Sequence, residues 1–279
     1  MAVLGGRVAL QLRSSWPSAG AKPVRVSLPS VQIVGYEPTP DAALHIARGG
    51  TVERVPLTQG SELSYGLGDR RCAGQVNGST HIPCHDSSAP FCSAHTATWI
   101  CARCRGVCLK DEMDCFDDHV VYLAIVAPAS IKVGVTKAHR FETRLHEQGA
   151  DRGVAIHHVE NGRIAREIET ELMASFPDRI SITAKIEGIG RAVNESVWNE
   201  AIEPYDQYRY SEPVYDLPSL QTAVPERIVA GRIIGTKGRL CLLETGGTTY
   251  VTDLRTLVGT VITTDGVRGN RQSSLGTFH

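Results

Sequence analysis

Residues His119 to Ala150 read HVVYLAIVAPASIKVGVTKAHRFETRLHEQGA. Two short runs rich in Val and Ile, VVYLAIV and IKVGVT, are separated by a Pro-Ala-Ser turn and predict a pair of strands. HRFETRLHEQ follows as a helix, and Gly149 supplies its stop. VAIHHVE predicts a third strand. GRIAREIETELMASF predicts a strongly amphipathic helix halted by Pro177, because proline removes a donor and clashes with the preceding turn. A further helix is expected from Arg191 to Ile202, ended by Pro204. Strands alternating with helices over this span set the fold class as α+β, with a small central mixed sheet and its helices occupying residues 119–204.

On either side of that module, the upstream and downstream segments read as β structure. VQIVGYE, ALHIA and VERVPL, with VRVSL before them, are short and are broken by Pro, Gly and Asp, so 24–71 is expected to be β-rich. RIVAGRIIG, GRLCLLE, TTYVTDL and GTVITT make 227–279 a small barrel-like segment or curled sheet, with turns at Gly235–Gly238 and Gly246–Gly247, and the two flanking β segments, neither large alone, are candidates to pack together. The stretch 205–226, rich in Pro and Tyr, reads as a linker. Residues 1–23 and the Ser- and Gly-rich tail from Arg268 are expected to lack fixed structure. The chain of 279 residues suits about two domains at roughly 150 residues each. Its longest apolar run, Val120 to Ala129, is far shorter than the roughly 20 residues of a membrane span, so no membrane partner is expected. Lys and Arg number 29 against 30 Asp and Glu, so any hold on nucleic acid has to be local.

Seven of the eight cysteines fall between Cys72 and Cys115, and Cys241 stands apart inside a strand as a core residue. A disulfide scaffold and a metal site compete for this stretch. Disulfides concentrate in small secreted domains without a core, whereas Cys-x2-Cys spacing aims two side chains at one ion. Cys72, Cys84, Cys92, His95, Cys101, Cys104, Cys108 and Cys115 make eight ligands, enough for about two structural zinc ions in 72–118. The knuckles Cys92-x2-His95 and Cys101-x2-Cys104 are the natural first site, leaving Cys72, Cys84, Cys108 and Cys115 for the second. One zinc with spare thiols is the plainer alternative. Free thiols and the lack of a signal-type apolar stretch predict a cytoplasmic protein.

The helix over 162–176 carries a carboxylate where a solvated helix would not need one. At about 100° per residue, Ile164, Ala165, Ile168, Leu172, Met173 and Phe176 share one half of the wheel, and Glu169 falls among them. It is either paired with a nearby arginine or holds a metal in a cleft. Arg140 and Arg144 share a face of the preceding helix, and Arg144 is the better phosphate ligand. Lys132 adds a point charge, and Tyr122 on its strand is either core or chemical.

These residues are similar to a GIY-YIG nuclease module. Val120-Val121-Tyr122 stands at the first triplet, Lys132-Val133-Gly134 at the second, Arg144 at the helical arginine and Glu169 at the metal-binding glutamate. The first triplet keeps only its tyrosine, and lysine replaces tyrosine in the second. The resemblance implies a metal-dependent endonuclease with Tyr122, Lys132, Arg144 and Glu169 as catalytic residues and Mg or Mn at Glu169. Cysteine module, YLA, KVG, R-x3-RLxEQGA and the A-R-x-I-E helix, in that order, also resemble an uncharacterised family, domain-of-unknown-function group 2797. Together these readings predict a zinc-containing nucleic-acid-binding protein with a phosphodiester-cleaving core. The rival reading is a non-catalytic zinc scaffold that binds protein or RNA.

Overall fold

The computed structural model describes residues 31–263 except 39–40, 97–100, 102–103, 105–106 and 218–222. The expected unstructured start, the VRVSL strand and the tail lie outside the described residues. In chain order the elements begin with β1 (Val31–Glu37), β2 (Ala43–Arg48), β3 (Thr51–Pro56), β4 (Glu62–Arg70), β5 (Gln75–Asn77) and β6 (Thr80–Ile82). The central module holds β7 (His119–Val126), β8 (Ser130–Lys137), α1 (Phe141–Gln148), β9 (Arg152–Val159), α2 (Gly162–Leu172), α3 (Ile182–Glu187) and α4 (Glu195–Ile202). Then come β10 (Arg209–Ser211), β11 (Val224–Pro225), β12 (Val229–Lys237), β13 (Leu240–Thr245), β14 (Thr248–Asp253), α5 (Leu254–Leu257) and β15 (Thr260–Thr263).

The central sheet has the order β10-β9-β7-β8. A mixed sheet is expected from the sequence, but every neighbouring pair in it is antiparallel. The turn at 127–129 lets β7 and β8 pair as a hairpin from Val126 opposite Ser130 to His119 opposite Lys137. The crossover through α1 then returns β9 on the far side of β7, so β8 and β9 run alike but never touch. Strand β7 is buried along its whole length, because both of its faces are covered. Val120, Tyr122 and Ala124 pack under Phe141 and Leu145 of α1. Val121, Leu123 and Ile125 pack with Ala165 of α2 and with Trp198 and Ile202 of α4. Helix α1 stops at Gly149, whose φ of 68° is the left-handed conformation that glycine adopts without a Cβ penalty. Helix α2 starts where the Asn161 side chain accepts a hydrogen bond from the Ile164 N–H at 3.0 Å. Pro177 lies beyond its end, which comes at Leu172. Helix α3 has no counterpart in the sequence reading, and α4 is shorter than the expected 191–202.

The outer strands form one mixed sheet of order β11-β14-β13-β12-β4-β15-β1-β2-β3-β6-β5. Residues 227–263 therefore do not curl into a barrel of their own. Strand β4 pairs with β12 and β15, and β15 pairs with β1, so strands from the two ends of the chain interleave. Their common core holds Ile33, Leu44, Ile46, Ile233, Leu243 and Ile262, each stabilising the fold by roughly 1.5–3 kcal/mol on burial. Cys241 is a core residue, its thiol pushed up to about 12 by burial. The expected linker contributes structure as well. β10 extends the central sheet and β11 pairs in parallel with β14. The two sheets are joined by a buried ion pair, Lys237 Nζ lying 2.6 and 2.8 Å from the Asp151 carboxylate. No helix among the described residues is long and apolar enough to cross a membrane.

Candidate functional site

The cysteine stretch places four ligand atoms together. Cys72, Cys84, Cys92 and His95 bring their Sγ and imidazole nitrogen atoms within 4.8 Å of one another. His95 Nδ1 lies 3.4 Å from Cys72 Sγ and 3.2 Å from Cys92 Sγ. Ligands of a tetrahedral zinc stand about 3.3–3.8 Å apart, so the residues present fit such an ion. Burial opposes ionisation of Cys72, but N–H groups of Cys92 and Gly74 point at its sulfur and hold the thiol below its ordinary pKa. None of the eight cysteines is in a disulfide.

The pairing differs from the one expected. Cys92 and His95 close with Cys72 and Cys84, not with Cys101 and Cys104. The cause is tertiary: the Ala73 N–H bonds the Pro90 carbonyl at 2.8 Å and the Cys72 N–H bonds that of Asp86, which folds the knuckle back onto the end of β4. Cys101, Cys104, Cys108 and Cys115 line a separate cavity. Among the described residues they do not close on a point as the first four do.

The second candidate centre lies where β7, β8 and α1 meet. Tyr122 stands opposite Gly134 in the hairpin, and its ring lies across that glycine. A Cβ at Gly134 would sit 2.6 Å from the phenol oxygen, so glycine is the residue that makes room. Tyr122 is fully buried, and its hydroxyl accepts a hydrogen bond from Gln148 Nε2 at 2.8 Å. Burial raises its pKa, and the nearby Arg144 guanidinium works against that rise. Lys132 places its ammonium 5.9 Å from the Tyr122 ring centre. Burial pushes Lys132 down to about 8, while the Glu169 carboxylate opposes the drop and Arg144 adds to it. Charge couples Tyr122 and Lys132 to both Arg144 and Glu169, although α1 and α2 cover opposite faces of the sheet and Glu169 touches none of the other three. Tyr122 is the sealed floor of this group, and Arg144 its exposed rim. Glu169 is buried and held by Arg166 at 2.6 Å, not by Arg144. Arg144 and Arg140 share Glu147, at 3.0 and 2.6 Å.

The family model described as "Protein of unknown function (DUF2797)" matches residues 80–262, about two thirds of the chain. The chain belongs to the DUF2797 family. No curated protein and no solved structure matches it, and the nuclease resemblance rests on the motif residues alone.

Between the cysteine stretch and the central module of this DUF2797 chain lies a cavity of about 660 Å³. Lys110, Lys137, Arg140, Arg144, Arg163 and Arg166 line it, against two carboxylates, Asp114 and Asp117. The chain as a whole has no positive balance, but this concavity does. Arg144 and Arg166 belong both to the cavity wall and to the Tyr122–Glu169 group, so the two features are continuous. Sequence reasoning missed Gln148, Arg166 and Lys185. Gln148 is four residues after Arg144 and Arg166 three before Glu169, so helical spacing alone places each beside its partner. Lys185, whose ammonium donates to the Gln148 carbonyl at 2.6 Å, sits on α3, which the sequence pattern did not reveal.

Proposed function

We propose that this protein binds nucleic acid through the phosphate backbone in the basic cavity, and that the adjoining group cleaves a phosphodiester there. The observation that carries the reading is the link between the two features: six cations line one concavity, and two of them reach the second group, Arg166 by pairing with Glu169 and Arg144 through its charge on Lys132 and Tyr122. Guanidinium forks suit phosphate oxygens, and a pre-set cationic pocket stabilises the extra negative charge of phosphoryl attack. Glu169 would hold a Mg or Mn ion, which supplies Lewis-acid chemistry and an activated water. For that, Glu169 has to exchange Arg166 for the ion. Tyr122, sealed beneath, steadies Arg144 and Gln148 in place of touching solvent. Zinc at Cys72, Cys84, Cys92 and His95 is structural, and a second ion near Cys101 and Cys104 completes the count of about two. Eight cysteines outside any disulfide fit a reducing compartment, and we place the protein in the cytoplasm.

The rival reading, a zinc scaffold that binds without cutting, draws on the Glu169–Arg166 pair and on the sealed phenol. The test is to incubate labelled single- and double-stranded DNA and RNA with the zinc-loaded chain, with and without Mn. Cutting that requires the added metal and vanishes in Glu169→Ala supports cleavage. Binding without cutting, unchanged by Glu169→Ala, gives the scaffold reading.

A further inference from the structure

Once Cys72, Cys84, Cys92 and His95 have closed on one another, Cys101, Cys104, Cys108 and Cys115 remain, and all four line the cavity together with His119. The Cys104 N–H donates to the Cys101 carbonyl at 3.3 Å, as the His95 N–H donates to the Cys92 carbonyl at 3.0 Å.

His119, the first residue of β7, is the side chain that changes the ligand count. It is buried, and its Nδ1 lies 2.6 Å from the Asp117 carbonyl oxygen. A carbonyl only accepts, so Nδ1 carries the proton. In the neutral ring Nε2 is then a lone pair. A histidine that ligates a metal through one nitrogen is ordinarily held in this way through the other. The lone pair lies on the Cys115 side, and since the ligand atoms are not within 4.8 Å of one another as those of the first site are, binding has to draw them together. Nε2 lies 3.1 Å, and the Cys115 Cβ 3.3 Å, from the point where a Cβ on Gly162 would sit. The Gly162 N–H bonds the Cys115 carbonyl at 2.9 Å, which fixes Cys115 against the start of α2 and beside His119.

We propose that Cys101, Cys104, Cys115 and His119 Nε2 hold the second zinc ion, with Cys108 outside the coordination sphere. The assignment rests on the reading of two ions per chain. Two sulfurs of a knuckle, a third sulfur and one imidazole repeat the donor set of the first site. The ion ties the cysteine stretch to β7, the strand that carries Tyr122, and fixes a wall of the basic cavity.

The test is zinc per chain, by elemental analysis of the purified full-length protein after dialysis. The wild type should carry two ions, Cys108→Ser two, Cys84→Ser one and His119→Gln one. His119→Cys, which restores a zinc-binding atom at that position, should recover the second ion and so separates loss of a ligand from loss of folding. Two ions in His119→Gln overturn the assignment, and so does failure of His119→Cys to recover one. A wild type with a single ion that Cys84→Ser abolishes overturns the two-ion reading itself, and this proposal with it.

Discussion

The Cys72–His95 cluster, which could hold a metal ion, and the Tyr122–Glu169 group are both sets of polar side chains, yet they are built in opposite ways. Cys72, Cys84, Cys92 and His95 face only one another, on short loops, with backbone N–H groups aimed at sulfur. Nothing is left over for a substrate. In the second group a buried phenol, a half-buried ammonium, an exposed guanidinium and a carboxylate held by Arg166 are linked by charge, and only the two guanidinium groups line the cavity. On the proposed reading, stability resides in the first cluster and chemistry in the second.

The largest effect is expected at the closed site. Chelation, or Cys72→Ala, should remove on the order of 10 kcal/mol of metal-linked folding energy from the stretch 72–115. Hydrogen exchange should then rise there while α1, α2 and β7 keep their protection. Uniform loss across the chain would contradict a local role. Next comes the junction of the two sheets. Lys237→Met strands the Asp151 carboxylate beside a buried face and should cost about 3–5 kcal/mol in denaturant unfolding. A double variant that also replaces Asp151 with Leu should recover much of the loss. Smaller again is Gly134→Ala, whose new methyl meets the Tyr122 ring and should cost about 1–3 kcal/mol. That penalty should shrink in a Tyr122→Leu background, and an unchanged penalty would place the strain elsewhere.

The smallest effect is a pH dependence. Burial holds Lys185 at about 8, below its ordinary value near 10.5. Between those values the unfolded chain binds the proton and the folded chain does not, so stability should rise with pH across that window. Below about pH 8 both states are protonated and the slope vanishes. Lys132, also held at about 8, adds an equal contribution, so Lys185→Met should remove about half of the slope between about pH 8 and 10.5, and an unaltered slope would assign it to other groups.

Much of the central module was legible because its signals are local. The β7–β8 hairpin, the Gly149 stop and the apolar arc of α2 follow from spacing and turn chemistry, and the inward position of Glu169 follows from that arc. What was not legible depends on partners distant in sequence. That the two flanking β segments could pack together was legible from their size, but the interleaving of β4 between β12 and β15 leaves no mark in any one strand. The grouping of Cys72 and Cys84 with Cys92 and His95 turns on the Ala73–Pro90 and Cys72–Asp86 backbone bonds, which ligand spacing does not encode. Arg166, three residues before Glu169, was within reach of helical spacing, but spacing does not say which of several charged neighbours a half-turned carboxylate takes. The cavity joins residues from two segments, and its cations are hidden in a balanced overall charge.

The decisive measurement is the salt dependence of binding to a labelled single-stranded oligonucleotide, for the wild type and for Arg144→Ala and Arg163→Ala. If phosphates occupy the cavity, log affinity falls linearly with log salt, and each substitution lowers the slope by about 0.7, the share of one neutralised phosphate. An affinity indifferent to salt, or a slope that both substitutions leave intact, would contradict phosphate binding in the cavity.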